Sequence, residues 1–180
     1  AHWGGSDNGV LVYRSGTVAI PEHPIALVSD NGAQQVLWDT PATFLEPRLS
    51  PDGRKLAVCQ LGNAGLDIWV YDIARQVPTR LTFDEADDCP AVWSPDGEEV
   101  IFSSAANGAL DLYRKRADGS GDIERITEAA DTAYYVSDWS PDGTTVIMTA
   151  GSGELLTLEL DALEGTPQPY LVTEFAEAEA

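Results

Sequence analysis

One tetrapeptide turn recurs at nearly constant spacing along this 180-residue chain. Ser-Pro-Asp-Gly occurs three times and Ser-Asp-Asn-Gly precedes it, with starts at Ser6, Ser50, Ser94 and Ser140 and spacings of 44, 44 and 46 residues. Proline presets φ for the first corner, aspartate bonds the local backbone and glycine accepts a positive φ, so the tetrapeptide predicts a hairpin corner. A fixed period of this size predicts an array of similar units, each packed mainly on its neighbours.

Each unit contains four short segments that are apolar, alternating or rich in β-branched and aromatic residues. In the third unit they are residues 90–93, 100–102, 111–114 and 124–127. Glycine and proline punctuate the chain, and no apolar run continues at helical spacing for three turns, which argues against helices. Four short antiparallel strands in about 45 residues are typical of a propeller blade. The sequence therefore predicts an all-β propeller of about four blades.

The phase of the turns sets the expected blade boundaries. We expect one repeat-built domain with blades at about 1–40, 41–84, 85–129 and 130–174, with residues 175–180 entering a fifth. The two ends of such an array expose poorly covered blade faces. We therefore expect that the chain either pairs with copies of itself or leaves apolar end faces.

Three strings resemble a known repeat family: Trp-Ser-Pro-Asp-Gly at 93–97, Asp-Ile-Trp-Val-Tyr-Asp at 67–72 and Arg-Leu-Thr-Phe-Asp at 80–84. They are similar to the WD40-like (PD40-type) repeats of TolB-like β-propellers. The runs at 9–16 and 118–121 look like the propellers found behind bacterial serine/threonine kinase domains. Because members usually have six blades, the resemblance implies that this chain is an incomplete part of a six-bladed ring.

The resemblance also implies a function. It favours a non-catalytic propeller that binds or scaffolds a protein, peptide or small ligand, in the periplasm or elsewhere outside the cytoplasm. The alternative is the accessory propeller of an enzyme, either a receptor-type serine/threonine kinase or a prolyl-oligopeptidase-like serine peptidase, whose catalytic domain is absent from this chain. The surrounding reading frame distinguishes the two.

Charge and hydropathy exclude other partners. Thirty acidic and ten basic residues give a formal net charge of −20, which repels a phosphate backbone and argues against nucleic-acid binding. No stretch approaches the roughly 20 apolar residues that span a bilayer.

Catalytic motifs are absent from the sequence. The only histidines are His2 and His23, which we expect in solvated loops, and no Gly-x-Ser-x-Gly elbow or glycine-rich loop with a following lysine occurs. We therefore predict that the chain is not an enzyme. Cys59 and Cys89 are too few for a disulfide scaffold or a zinc site, and we expect free, largely buried thiols rather than a bridge between adjacent blades.

Carboxylates supply the first candidate binding site. Asp84, Asp87 and Asp88 lie between the last strand of one unit and the first strand of the next, where blade loops reach the mouth of a central channel, and Asp131 and Glu46 have a comparable phase. Oxygen ligands from several loops could hold calcium, although no other cofactor is expected and solvated loops are the simpler interpretation.

Tyrosines supply the second candidate site. Tyr134 and Tyr135 offer amphipathic contact area to a protein or peptide partner, but strand alternation would bury one of the two. Asp67 and Asp111 recur at one phase of the repeat, which predicts a structural turn or inter-strand hydrogen bond.

Overall fold

Four antiparallel sheets of four strands each build the protein. The computed structural model describes residues 3–5, 11–13, 22–128, 132–160 and 166–171. These residues contain no α-helix, and hence none that could cross a membrane. Strands that are consecutive in the chain are hydrogen-bonded neighbours within each sheet. The prediction of an all-β propeller fold is confirmed.

The sixteen strands follow one another in chain order. The first sheet contains β1 (Trp3–Gly5), β2 (Leu11–Tyr13), β3 (His23–Val28) and β4 (Gln34–Ala42). The second contains β5 (Phe44–Leu49), β6 (Lys55–Leu61), β7 (Leu66–Asp72) and β8 (Val77–Arg80). The third contains β9 (Asp88–Trp93), β10 (Glu99–Asn107), β11 (Ala109–Arg116) and β12 (Glu124–Arg125). The fourth contains β13 (Tyr134–Trp139), β14 (Thr145–Ala150), β15 (Leu155–Glu159) and β16 (Gln168–Leu171).

The three Ser-Pro-Asp-Gly turns have one hydrogen-bond pattern. In the first, Gly53 N donates to Ser50 O at 2.8 Å, and the Ser50 hydroxyl donates to Asp52 Oδ1 at 2.6 Å. The same hydroxyl accepts from Lys55 N at 2.9 Å, and φ of Gly53 is +69°. The serine bond lowers the pKa of Asp52, and the turns at Ser94 and Ser140 repeat these bonds. Serine therefore joins the two sides of each hairpin.

Strand direction gives the array two distinct ends. In the second to fourth sheets, the Ser-Pro-Asp-Gly turns join the first and second strands and define the turn end. The loops between the second and third strands lie at the opposite end, as do the segments that lead into the next sheet, which we call the connection end. Neighbouring sheets are in register, because Trp93 Nε1 donates to Arg48 O at 2.9 Å and Lys55 Nζ donates to Gly97 O at 3.4 Å.

The apolar core lies in layers between neighbouring sheets. Three clusters of buried side chains fill the three junctions of the four sheets. The second junction contains Phe102, stacked on Tyr113 with ring centroids 5.9 Å apart, and Trp93. These three side chains and Trp139 are buried, whereas Trp69 is half-buried against the cluster of the first junction. The core consists of stacked sheet faces, as expected for a repeat array.

A disulfide bond links Cys59 of β6 to Cys89 of β9, with 5.8 Å between the Cα atoms. The expectation of free thiols was therefore wrong. The residues are 30 positions apart in sequence, and the packing of the second sheet against the third brings them together. At the next junction, Ser103 stands where β6 has Cys59, and its hydroxyl accepts from Val136 N at 2.9 Å. One position thus links adjacent sheets covalently in one case and by a hydrogen bond in the other.

His23 also departs from expectation. It begins β3 and pairs with Ala42, rather than lying in a solvated loop, and its Nε2 is buried without a hydrogen-bond partner. His2 lies outside the described residues.

Candidate functional site

The connection end contains most of the predicted site residues. Residues 81–87 connect β8 to β9, and residues 126–133 connect β12 to β13, with 129–131 outside the description. Each connection leaves its sheet beside a buried aspartate of the third strand, Asp67 or Asp111. Asp67 accepts from Arg80 at 2.8 Å and Asp111 accepts from Arg125 Nε at 3.1 Å, so the predicted inter-strand role of these aspartates is confirmed.

Buried threonines then anchor the two connections. Thr82 Oγ1 accepts from Ile68 N at 3.0 Å. Thr127 Oγ1 accepts from Leu112 N at 2.8 Å and donates to Asp111 at 2.9 Å. These bonds satisfy the backbone of the third strand where the fourth strand ends. The connection that follows each threonine therefore leaves from a fixed point.

Asp84 and Asp87 shape the first connection. Asp84 Oδ1 accepts from Ala86 N at 2.8 Å, a local turn bond, and Asp87 Oδ1 accepts from Leu66 N at 2.9 Å. Both residues are exposed. Each carboxylate uses one oxygen for the backbone and leaves acceptor capacity facing solvent.

Asp88 is buried, with 1% of its surface exposed. Neither carboxylate oxygen makes a hydrogen bond, and burial raises its pKa to about 6. The hydroxyls of Ser104 and Thr82 lie close enough to oppose this shift, although neither has hydrogen-bond geometry with the carboxylate. In this structure, Asp88 belongs to the junction between the second and third sheets and does not reach the surface.

Three of the remaining predicted residues lie in the first strands of the second and fourth sheets. Glu46 lies in a β-bulge between Leu45 and Arg48, with φ +47°. Tyr134 is half-buried against the third core cluster, whereas Tyr135 has 41% of its surface exposed, so the two neighbours differ in the direction that alternation predicts. Asp131 lies outside the described residues.

Sequence reasoning missed two exposed apolar side chains at this end. Phe83 is 69% exposed and Leu61 is 45% exposed. The Arg80 guanidinium lies 5.0 Å from the centroid of the Phe83 ring. Aligning the repeats would have identified Phe83, because it follows Thr82 at the position where Glu128 follows Thr127. An apolar residue that replaces a charged one at a loop position indicates a contact surface.

The two ends differ in their charge balance. Exposed carboxylates at the connection end belong to Asp84, Glu85, Asp87, Glu128 and Glu154. Within the described ranges, the arginines at this end are Arg80 and Arg125, and each already pairs with a buried aspartate. At the turn end, Arg54 and Arg116 lie 3.9 and 3.7 Å from Asp52 and Asp118. The connection end therefore combines exposed apolar side chains with unbalanced negative charge.

The calcium hypothesis gains no support from the geometry. Among the residues that the structure describes, no three histidine, cysteine, aspartate or glutamate side chains are grouped to hold a metal ion. Asp84 and Asp87 bond to separate parts of the backbone instead of converging on one point.

The repeat pattern, the sheet order and the turns agree with a comparison against known families. Residues 20–179 match the family described as the TolB beta propeller domain. The chain belongs to this family. Similar proteins include an uncharacterized protein of Agrobacterium fabrum, 33% identical over 125 residues that cover 69% of this chain and 42% of that protein. The Tol-Pal system protein TolB of Anaeromyxobacter dehalogenans is 30% identical over 92 residues, which cover 51% of this chain and 21% of that protein.

Solved TolB-type structures share the architecture. TolB from Acinetobacter baumannii matches with a TM-score of 0.79 at 22% identity, covering 99% of this chain and 45% of that chain. Prolyl endopeptidase and oligogalacturonate lyase chains also match, at 16% and 14% identity, which shows the fold alone. This chain spans less than half of the length of the curated relatives named above. Membership of the TolB-type family supports a binding propeller module over the alternative, an accessory domain of an enzyme.

Proposed function

We propose that this TolB-type propeller binds a protein or peptide through its connection end and is itself non-catalytic. Two observations at this end carry the proposal. Phe83, Leu61 and Tyr135 are exposed, and among the described residues both arginines at this end already pair with buried aspartates, so the exposed carboxylates have no arginine to balance them. Exposed aromatic side chains on anchored loops give contact area at low entropic cost. The negative charge favours a partner segment with positive charge.

We further propose that the chain works outside the cytoplasm. The Cys59–Cys89 disulfide supports this location, since structural disulfides persist in oxidising compartments. Similarity to a protein of the Tol-Pal system supports it by resemblance. The finer resemblance to propellers that follow bacterial kinase domains stays a prediction, which the neighbouring reading frame tests.

Paired variants test the binding surface. Peptides selected from a random display library on the immobilised chain should lose at least about tenfold in affinity when Phe83→Ala is combined with Asp84→Asn, because a central aromatic contact and a charge are removed together. Asparagine keeps an acceptor for Ala86 N. Titration calorimetry measures the change.

The matched control makes the same kinds of substitution in the segment just before the outer strand β12. Ile123→Ala combined with Asp122→Asn removes an exposed apolar side chain and its acidic neighbour near the turn end. Affinity for the selected peptides should stay within about twofold for this control. An equal loss in both double variants, or no loss in either, would contradict binding at the connection end.

We also propose that the blades keep the predicted boundaries within a wider ring. We further propose that the partly covered face of the fourth sheet pairs with a second copy of the chain. Burial is nearly continuous along β6 and β10, whereas it alternates along β14. Thr145, Ile147 and Thr149 therefore lie on a partly covered face. Light scattering should give the mass of a dimer, and a stable monomer would count against pairing.

A further inference from the structure

The junction between the second and third sheets differs from its two neighbours in the residue that begins its first strand. Each first strand of the second to fourth sheets begins opposite the residue ten places after the turn serine: Phe44 opposite Gln60, Asp88 opposite Ser104, and Tyr134 opposite Ala150. Phe44 and Tyr134 pack on apolar clusters. Asp88 therefore places a carboxyl group where the equivalent junctions place an aromatic ring.

The surroundings of Asp88 disfavour its charge. Beyond burial itself, the negative charges of Asp84 from the connection and Asp67 from β7 raise the pKa of Asp88, and the Ser104 hydroxyl of β10 opposes that shift. Arg80 of β8 is engaged by Asp67. A buried carboxyl group near like charges is more stable when protonated, and ionisation then works against close packing.

The disulfide lies next to this carboxyl group. Cys89 follows Asp88 directly, and its partner Cys59 lies on the facing strand of the second sheet. The bond holds β6 and β9 together whatever the charge state of Asp88. At the junction between the third and fourth sheets, the corresponding link is only the hydrogen bond from Val136 N to Ser103.

We propose that this junction is a proton-controlled seam, closed when the Asp88 carboxyl is neutral and loosened when it ionises, with the Cys59–Cys89 disulfide limiting how far it opens. The connection at 81–87, which carries Phe83, ends at Asp88 and lies along this seam. The proposal does not depend on the identity of a binding partner. It assigns a regulatory role to a group that the proposed binding surface does not use.

The expected pH dependence has a definite sign. A carboxyl group whose pKa is about 6 when the seam is closed and 3.8 when hydrated binds more protons in the closed state between these values. The closed seam is therefore most stable at low pH and weakens as the pH rises through this window. Between pH 5 and pH 8, the equilibrium constant for full opening should rise about tenfold.

Hydrogen exchange of the full chain measures this opening. Protection factors, corrected for intrinsic exchange rates, should fall about tenfold from pH 5 to pH 8 for the amides of Asp88, Cys89, Ala91 and Val92 when the disulfide is reduced. With the disulfide intact, they should fall by a smaller but measurable factor. The first strand of the fourth sheet, where Tyr134 occupies the equivalent position, serves as an internal control with no such fall.

Two variants test whether ionisation of Asp88, rather than another effect of pH, causes the loss of protection. In Asp88→Asn the difference between pH 5 and pH 8 should disappear and protection at pH 8 should increase, whereas the exposed control Asp122→Asn should keep the wild-type profile. The proposal is overturned if Asp88→Asn keeps the tenfold fall or folds only poorly at pH 8. It is also overturned if millimolar calcium restores protection in the wild type and not in Asp88→Asn, because Asp88 would then be a cation ligand.

Discussion

Replacing Phe102 with alanine is expected to lower the free energy of unfolding by about 3–5 kcal/mol, the usual cost of removing a buried phenylalanine ring. Phe102 has 1% of its surface exposed, lies in β10 at the second junction and stacks on Tyr113. The cavity opens between two sheets that are held by their facing side chains. Urea denaturation followed by tryptophan fluorescence measures the change.

The chain contains a matched control for this substitution. Phe83→Ala removes the same ring from an exposed site at the connection end, and stability should change by no more than about 0.5 kcal/mol. Phe102→Leu should cost less than Phe102→Ala, because it keeps most of the apolar volume. Equal effects of the two phenylalanine-to-alanine substitutions would show that the second junction is not part of the cooperative core.

Removing the disulfide should have a similarly large effect. The double substitution Cys59→Ala and Cys89→Ala is expected to lower the free energy of unfolding by about 3–4 kcal/mol, because the unfolded chain regains the freedom of a loop of about 30 residues. The shift in the urea midpoint at constant slope measures the loss. Wild-type protein treated with a reductant should show the same midpoint as the double variant.

Ser103→Ala provides the comparison at the equivalent position of the next sheet. It removes a hydrogen bond to Val136 N and should cost about 1 kcal/mol, which is less than the loss of the covalent link. If a thiol reagent labelled two cysteines in the untreated protein, the Cys59–Cys89 disulfide would be contradicted. Unchanged stability of the double cysteine variant would contradict its stabilising role.

The local structure of this protein could be predicted because it depends on short stretches of sequence. The Ser-Pro-Asp-Gly corners are hydrogen-bonded within a few residues of Ser50, Ser94 and Ser140, so their phase gives the sheets directly. Alternation in β13 likewise predicted that Tyr134 and Tyr135 differ in burial: Tyr134 is half-buried against the core, and Tyr135 is exposed.

The failures concern pairs of residues that meet only through packing between sheets. Cys59 and Cys89 belong to different sheets, and no local pattern reports their 5.8 Å Cα separation. Asp88 was placed with the exposed acids at 84–87, yet one step along the chain takes it from the loop into the junction. The same loop exposes Phe83, which composition alone would assign to the core.

The amino-acid sequence by itself determined the repeat, the hairpin corners, the four-stranded units and the family, because turn chemistry and strand alternation act over a few neighbouring residues. Only the tertiary structure decided which side chains face each other across a junction: the disulfide, the unpaired Asp88 carboxylate and the pairing of Arg80 and Arg125 with buried aspartates. These contacts depend on how whole sheets are placed against one another. That placement results from the summed burial of many apolar side chains, so no single short segment encodes it.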